Sequence, residues 1–213
     1  MKILALEFSS ARRGVAVSEG DHVLGLAEGD GLTPGPFELI ESALRAAGVE
    51  REEIECIAVG LGPGSYTGVR SAIALAQGWQ LALGVKLRGV SSADVLAATA
   101  HTAGIRGLTA VVIDALRGEY YVLSTAIGDN GWFPIDELKL LNHRAAQLPV
   151  LSNVTFLSPD PKLPFANVTH LAPSARELAR LASQRTDFQP GEKLEPIYLR
   201  ETTFVKAPPP RFY

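Results

Sequence analysis

Apolar and polar positions alternate along the first thirty residues in a way that predicts three strands. Lys2 to Phe8 (KILALEF) reads as a buried strand, and Gly14 to Glu19 and His22 to Glu28 alternate with period two. Gly20-Asp21 is a tight hairpin link, so the three form an antiparallel meander. A loop, GDGLTPGP, covers Gly29 to Pro36. The stripe Phe37, Ile40, Leu44 and Ala47 then predicts a helix over Pro36 to Ala47, with Pro in its first turn and Gly48 as its stop. Glu41 and Arg45 lie four apart on its outer side. Ile54 to Gly60 is a fourth strand and Lys86 to Val90 a fifth. Ser91-Ser92-Ala93-Asp94 resembles a capping box for a helix ending near Gly104.

Between the fourth and fifth strands lies the most unusual stretch, Gly60 to Val85. A turn rich in glycine and proline (Gly60-Leu61-Gly62-Pro63-Gly64) runs into a helix that Ser65, or Thr67 a turn later, can cap. From Ser71 to Val85 this helix carries no charge, and its small residues recur at spacing four in Gly68-Ala72-Ala76 and Ala74-Gly78-Ala82. On a helical wheel Ala72, Ala76, Trp79 and Leu83 fall opposite Arg70. Ile73, Ala74 and Leu81 fall within about 60° of Arg70, where a surface helix is polar. Apolar residues all round predict burial on more than one side.

After residues 100–107 much of the order begins again. Leu108 to Ala115 and Glu119 to Ile127 are strands, GDNG at Gly128 to Gly131 is a hairpin turn, and Glu137 to Leu141 is a third strand. Asn142 to Leu148 is a short helix at best, and Val154 to Ser158 and Val168 to Leu171 are short strands. Ser174-Ala175-Arg176-Glu177 is an S-x-x-E capping box for a helix through about Gln184. Five prolines between Pro149 and Pro173 break this half into short pieces, and APPPRFY at the end reads as a tail. The pattern predicts two α/β halves on a similar plan, 1–104 and 105–213, without a visible sequence repeat.

Composition narrows the function. The chain has 213 residues, 46% hydrophobic and 20% charged, with a net charge of −3, which argues against an autonomous nucleic-acid binder. The single cysteine, Cys56, lies in an apolar run and reads as core in a reducing compartment. No segment has the pattern of a signal peptide or a membrane span, so a cytoplasmic protein is expected.

Candidate chemistry is sparse. Glu7, at the end of the first strand, either faces solvent or faces a cleft at the carboxyl end of a central strand. The glycine turn could cradle phosphate at a helix start. It lacks the third glycine of a dinucleotide fingerprint and the lysine of a P-loop, though, and Arg70 is the only nearby cation. The alternative is a tight turn that lets helix and sheet approach closely. His22, His101, His143 and His170 form no metal-ligand pattern; His101 reads as a surface residue near a helix C-terminus. Ser65 follows G-P-G rather than sitting in a nucleophile elbow. Asp114-Ala115-Leu116-Arg117-Gly118-Glu119 joins two strands and is either a cleft edge or an exposed turn.

The run GLGPGSYTGVR at Gly60 to Arg70 strongly resembles the G-x-G-P-G-S-[FY]-T-G-[VL]-R motif of the TsaB (YeaZ) family. ILALEFSS at Ile3 to Ser10, IDALRGEYY at Ile113 to Tyr121 and EPIYLR at Glu195 to Arg200 agree with it, so the resemblance spans nearly the whole chain. It implies an actin-like ATPase/sugar-kinase fold, with two RNase H-like lobes of which the second is reduced. It further implies a non-catalytic partner of a TsaD-type transferase in making threonylcarbamoyladenosine in tRNA, with a TsaE-type ATPase joining the complex. The resemblance implies no metal or cofactor of the chain's own, contact with tRNA only through the complex, and a homodimer when the chain is alone.

The implied partner surface carries Phe37, Ile40, Glu41 and Leu44 from the first helix. From the second it carries Val69, Ala72, Ile73, Ala76, Trp79, Gln80 and Leu83. Arginine at Ala72 or Ala76 is then expected to block pairing. A ligand cleft would be lined by Glu7, Ser9, Gly62, Gly64, Ser65, Arg70, Asp114 and Arg117. Two departures stand out. Glu7 replaces the Asp that holds magnesium–phosphate in active members of the fold, and Thr33-Pro34-Gly35-Pro36 replaces a histidine that leads the first helix in many relatives. The remaining alternatives are an ATP-dependent enzyme of the same fold and, last, a glycoprotease-like peptidase.

Overall fold

A computed structural model describes residues 1–142, 153–165 and 167–200. The meander is present as β1 (Lys2–Glu7), β2 (Arg12–Glu19) and β3 (His22–Asp30), followed by α1 (Pro36–Ala47), β4 (Cys56–Gly60), α2 (Tyr66–Leu83), β5 (Lys86–Val90) and α3 (Ser92–Thr102). The sheet order is β3-β2-β1-β4-β5. β1 pairs antiparallel with β2 and parallel with β4, which is parallel to β5.

The second half repeats this plan. β6 (Gly107–Asp114) pairs antiparallel with β7 (Glu119–Gly128) and parallel with β10 (Val154–Ser158). β8 (Gly131–Pro134) and β11 (Val168–His170) extend the two sides, giving the order β8-β7-β6-β10-β11. β9 (Lys139–Asn142) pairs with the other end of β7. The sequence pattern missed β8 and started β9 two residues early. Pro134 and the shortness of the run hide a strand that register with Thr125 to Gly128 creates. Asn142, expected in a helix, is in β9; residues 143–148 lie outside the described ones.

Strand parity sorts the core. Leu4, Leu6 and Phe8 face α1 and α2, whereas Ile3 and Ala5 face the opposite side with Cys56, Ala58 and Val90. That side is covered by Val95 of α3 and by α4 (Ala175–Ser183), through Ala175, Leu178, Ala179 and Ala182. α4 therefore follows the second sheet in sequence but packs on the first. α3 lies between the sheets, since Ala93, Leu96, Ala97 and Ala100 pack against Val111, Ile113, Leu123 and Leu157.

Local signals set the helix ends well where backbone alone decides. α1 starts at Pro36 and ends at Gly48, whose left-handed backbone lets its N–H and that of Val49 reach the carbonyls of Arg45 and Leu44. Three side-chain expectations fail, two of them because another partner competes. Glu41 pairs with Arg51 at 2.9 Å rather than with Arg45. Ser91 makes no side-chain cap on α3. Ser174 accepts from Arg176 N at 3.2 Å, but Glu177 does not reach back, because it is buried against Thr102 Oγ1 (3.0 Å) and Arg180 Nε (2.7 Å).

Candidate functional site: a filled strand end and an apolar helix face

Glu7 is fully buried, so the solvent-facing reading is wrong, and it faces no open cleft either. Its parity puts it on the α3 side of the first sheet, at the carboxyl end of β1. The Ser9 N–H donates to Oε1 at 2.9 Å, and Ser92 Oγ donates to the carboxyl from 3.0 and 3.2 Å. Ser92 Oγ in turn accepts from Gly62 N at 3.1 Å, and Ser92 N donates to Gly62 O at 2.7 Å. Burial pushes the Glu7 carboxyl above its ordinary value, while the hydrogen bonds from Ser9 and Ser92 pull it the other way. Ser92 was not among the expected site residues. Its signal was the serine pair at the start of α3, which looked like capping chemistry.

The glycine turn is built for close approach. A Cβ on Gly64 would lie 3.0 Å from the Ser9 carbonyl carbon, and one on Gly68 3.1 Å from that of Phe8. Ser65 N donates to Ser9 O at 2.6 Å, and Ser65 Oγ caps α2 by accepting from Gly68 N at 3.2 Å. The Ser65 and Gly68 N–H groups thus serve the chain's own backbone and cap, which supports the packing role of the turn. Arg70 points outward. Its Nη1 donates to Tyr66 Oη at 3.0 Å, and Tyr66 stacks on Tyr198 at 5.8 Å, at the mouth of an open groove of about 810 Å³ between α2 and residues 192–198.

Asp114 and Arg117 stand on a separate turn. Asp114 Oδ1 accepts from Leu116 N at 2.7 Å, and Asp114 N donates to Asp160 Oδ2 at 2.8 Å. Burial, with Asp114 nearby, raises the Asp160 carboxyl. Leu116 and Arg117 both have left-handed backbone, with φ of 64° and 60°. Arg200 clamps this turn, donating to the carbonyls of Ala115 and Leu116 and to Glu119 Oε2. Glu7 and Asp114 share no hydrogen-bond partner among these. Among the described residues no cluster of His, Cys, Asp or Glu is placed to hold a metal, and no helix is long and apolar enough to cross a membrane.

The expected partner surface divides in two. Ile40, Leu44, Val69, Ala72, Ile73 and Ala76 are buried in the core of this chain, with Ile40, Leu44 and Ile73 reaching the floor of surface grooves. The reason is that the small-residue seam lets α2 lie close on the sheet. Phe37 is 67% exposed, Leu83 47% and Leu81 89%; Glu41, Ala74, Gly78 and Ala82 are also exposed, and Trp79 and Gln80 are half-buried. Phe37, Ala74, Gly78, Trp79, Ala82 and Leu83 line an open groove of about 460 Å³ between α1 and α2. The helix that is apolar all round therefore has an inner face on its own sheet and an outer face in water.

Two sheets of one strand order, each with a central strand antiparallel to one neighbour and parallel to the other, define a protein of the actin-like ATPase/sugar-kinase class. Residues 37–131 match the family described as TsaD, tRNA N6-adenosine threonylcarbamoyltransferase. The chain is 29% identical over 171 residues to the tRNA threonylcarbamoyladenosine biosynthesis protein TsaB of Bacillus subtilis (strain 168), covering 74% of this chain and 73% of that protein. It is 27% identical to the Escherichia coli (strain K12) protein of the same name, over 98% of this chain and 99% of that protein. A Pseudomonas aeruginosa crystal structure, described as an uncharacterized protein with similarity to peptidase YEAZ, superposes with a TM-score of 0.80 at 26% identity. It covers 93% of this chain and 99% of that one. Over nearly its whole length the chain is thus similar to TsaB (YeaZ) proteins.

Proposed function

We propose that this chain acts in threonylcarbamoyladenosine biosynthesis on tRNA as a non-catalytic partner of a TsaD-type transferase, with a TsaE-type ATPase joining the complex. The observation that carries the reading is the outer face of α2, where Leu81 and Leu83 stand exposed beside the groove from Phe37 to Ala82. An uncharged, apolar helix face of this kind marks a protein contact. The interface is assigned to Phe37, Glu41, Ala74, Gly78, Trp79, Gln80, Leu81, Ala82 and Leu83, which also serve self-pairing when the chain is alone. The two lobes are taken as 1–104 and 105–213, with α4 lent by the second to the first. A strand end filled by Glu7, in place of an open cleft, supports the absence of catalysis by the chain itself. The net charge of −3 supports contact with tRNA only through the complex, and the buried Cys56 fits a cytoplasmic setting.

Co-purification with a TsaD-type protein tests the reading. The wild-type chain is expected to co-elute with it and to have no ATPase or transfer activity alone. Leu81→Arg is expected to fold normally and to lose at least tenfold in affinity, about 1.4 kcal/mol or more. Unchanged binding by Leu81→Arg, or robust turnover by the isolated chain, would refute the proposal.

A further inference from the structure

The surroundings of Glu7 amount to a finished binding site whose occupant is part of the chain. The carboxyl is fully buried, and among the described residues no cation pairs with it. What it meets instead is a set of donors aimed at oxygen: the Ser9 N–H and the Ser92 hydroxyl, the latter oriented by Gly62 N–H. Backbone N–H and hydroxyl groups converging at the start of a helix are the chemistry that holds a carboxylate or phosphate oxygen. The position is the carboxyl end of β1 beside β4 and β5, where open α/β sheets bind ligands. The opposite wall is shaped for the same group. A Cβ on Gly60 would lie 2.6 Å from Glu7 Cδ and 2.8 Å from Oε1, so the last residue of β4 leaves room for a carboxyl and for little else.

We propose that Glu7 is an intramolecular ligand: its carboxyl fills a hydrogen-bonding pocket formed by Ser9, Ser92 and Gly60, keeps an external carboxyl group out of it, and ties β1, the glycine turn and α3 together. Filling the pocket from within gives the turn that launches α2 a fixed shape without any bound small molecule. Through Gly62 and Ser92 the same carboxyl sets where α3 begins between the two sheets. The proposal concerns this chain alone and does not depend on the partner reading.

Chemical rescue tests it. Glu7→Ala removes Cγ and the carboxyl, a fragment with the heavy atoms of acetate. Thermal unfolding of the purified full chain would be followed in sodium acetate and in sodium chloride of equal ionic strength. The variant is expected to melt several degrees below wild type, with acetate recovering most of the loss and chloride none. Wild type is expected not to respond to acetate, and adding Ser92→Ala to the variant is expected to abolish the recovery. An unchanged melting temperature, or a loss that acetate and chloride treat alike, overturns the proposal. Should Glu7→Ala be insoluble, Glu7→Gln decides by amide exchange. Gln keeps an acceptor oxygen, so protection at Ser9 and Gly62 should stay near wild type, and acceleration of about tenfold or more at both would overturn it.

Discussion

Gly60→Ala offers a sharp energetic test of the packing at the strand end. Gly60 has ordinary strand backbone in β4 and pairs with Val90 of β5, so alanine meets no conformational barrier and by propensity alone would gain about 0.5–1 kcal/mol. The obstacle is steric. The new methyl would sit 2.6 Å from Glu7 Cδ and 2.8 Å from Oε1, distances no real pair of these atoms adopts, and both groups are fully enclosed. The carboxyl must move away, lengthening the 2.9 Å bond from Ser9 N and the 3.0 Å bond from Ser92 Oγ. Overpacking of this kind costs about 1–3 kcal/mol, and each weakened buried hydrogen bond about 1 kcal/mol more. The net expectation is a loss of about 2–4 kcal/mol, or roughly 5–15 °C in Tm for a chain of this size. Urea unfolding with fluorescence and circular dichroism measures it directly. The decisive form is a double-mutant cycle: with Glu7→Ala the obstacle is gone, so Gly60→Ala should be nearly neutral there, giving a coupling of about 2 kcal/mol or more. Gly78→Ala is the control. It is exposed in α2 with open space around it, and it should stabilise by about 0.5–1 kcal/mol. Equal costs of Gly60→Ala in both backgrounds would refute the reasoning.

Three further outcomes follow from the same geometry. Ala76→Arg should leave the chain largely unfolded on circular dichroism, because it forces an unpaired charge into a fully buried site, whereas Ala74→Arg one turn face away should fold and instead weaken self-pairing by sedimentation; a folded Ala76→Arg would contradict the inner face assigned to α2. For Glu7, burial raises the folded carboxyl above the ordinary 4.5, so its contribution is fully present below 4.5 and is lost as pH rises through the folded value. The stability difference between wild type and Glu7→Gln should thus shift in favour of Gln as pH rises above 4.5, and a shift the other way in pH-dependent melting would show that the charged form is the favoured one. Arg200→Ala should release the Ala115–Glu119 turn, speeding amide exchange at Leu116 and Glu119 by about tenfold. It should change global Tm little, since the Arg200–Glu119 pair is partly exposed; protection unchanged at both amides would remove Arg200 as the clamp.

Some features were legible in the chain because their causes are local. Pro36 and Gly48 bound α1 through backbone rules that need no neighbour, and the bounds match to the residue. Period-two alternation found the meander, and the repeated order of elements anticipated two sheets of one plan. The spacing of glycines from Gly60 to Gly68 indicated close approach, although not to what. Other features were illegible because their partners lie far away in sequence. Ser92 is 85 residues from Glu7, Arg200 is 81 from Glu119, and Thr102 is 75 from Glu177. Each such partner took a polar side chain away from the local role that its neighbours suggested.

The sequence by itself determined the period, the turns and the family motif, since these depend on side-chain pattern and backbone freedom within a few residues. Tertiary structure alone decided which side of α2 faces water. A helix apolar on nearly all sides carries no continuous polar stripe to orient it, and only the fit of Gly68, Ala72 and Ala76 against β1 and β4 turns Leu81 and Leu83 outward. It also decided the state of Glu7. Parity places that carboxyl on the α3 side of the sheet, but its enclosure depends on a serine hydroxyl and a missing methyl that other elements bring to it.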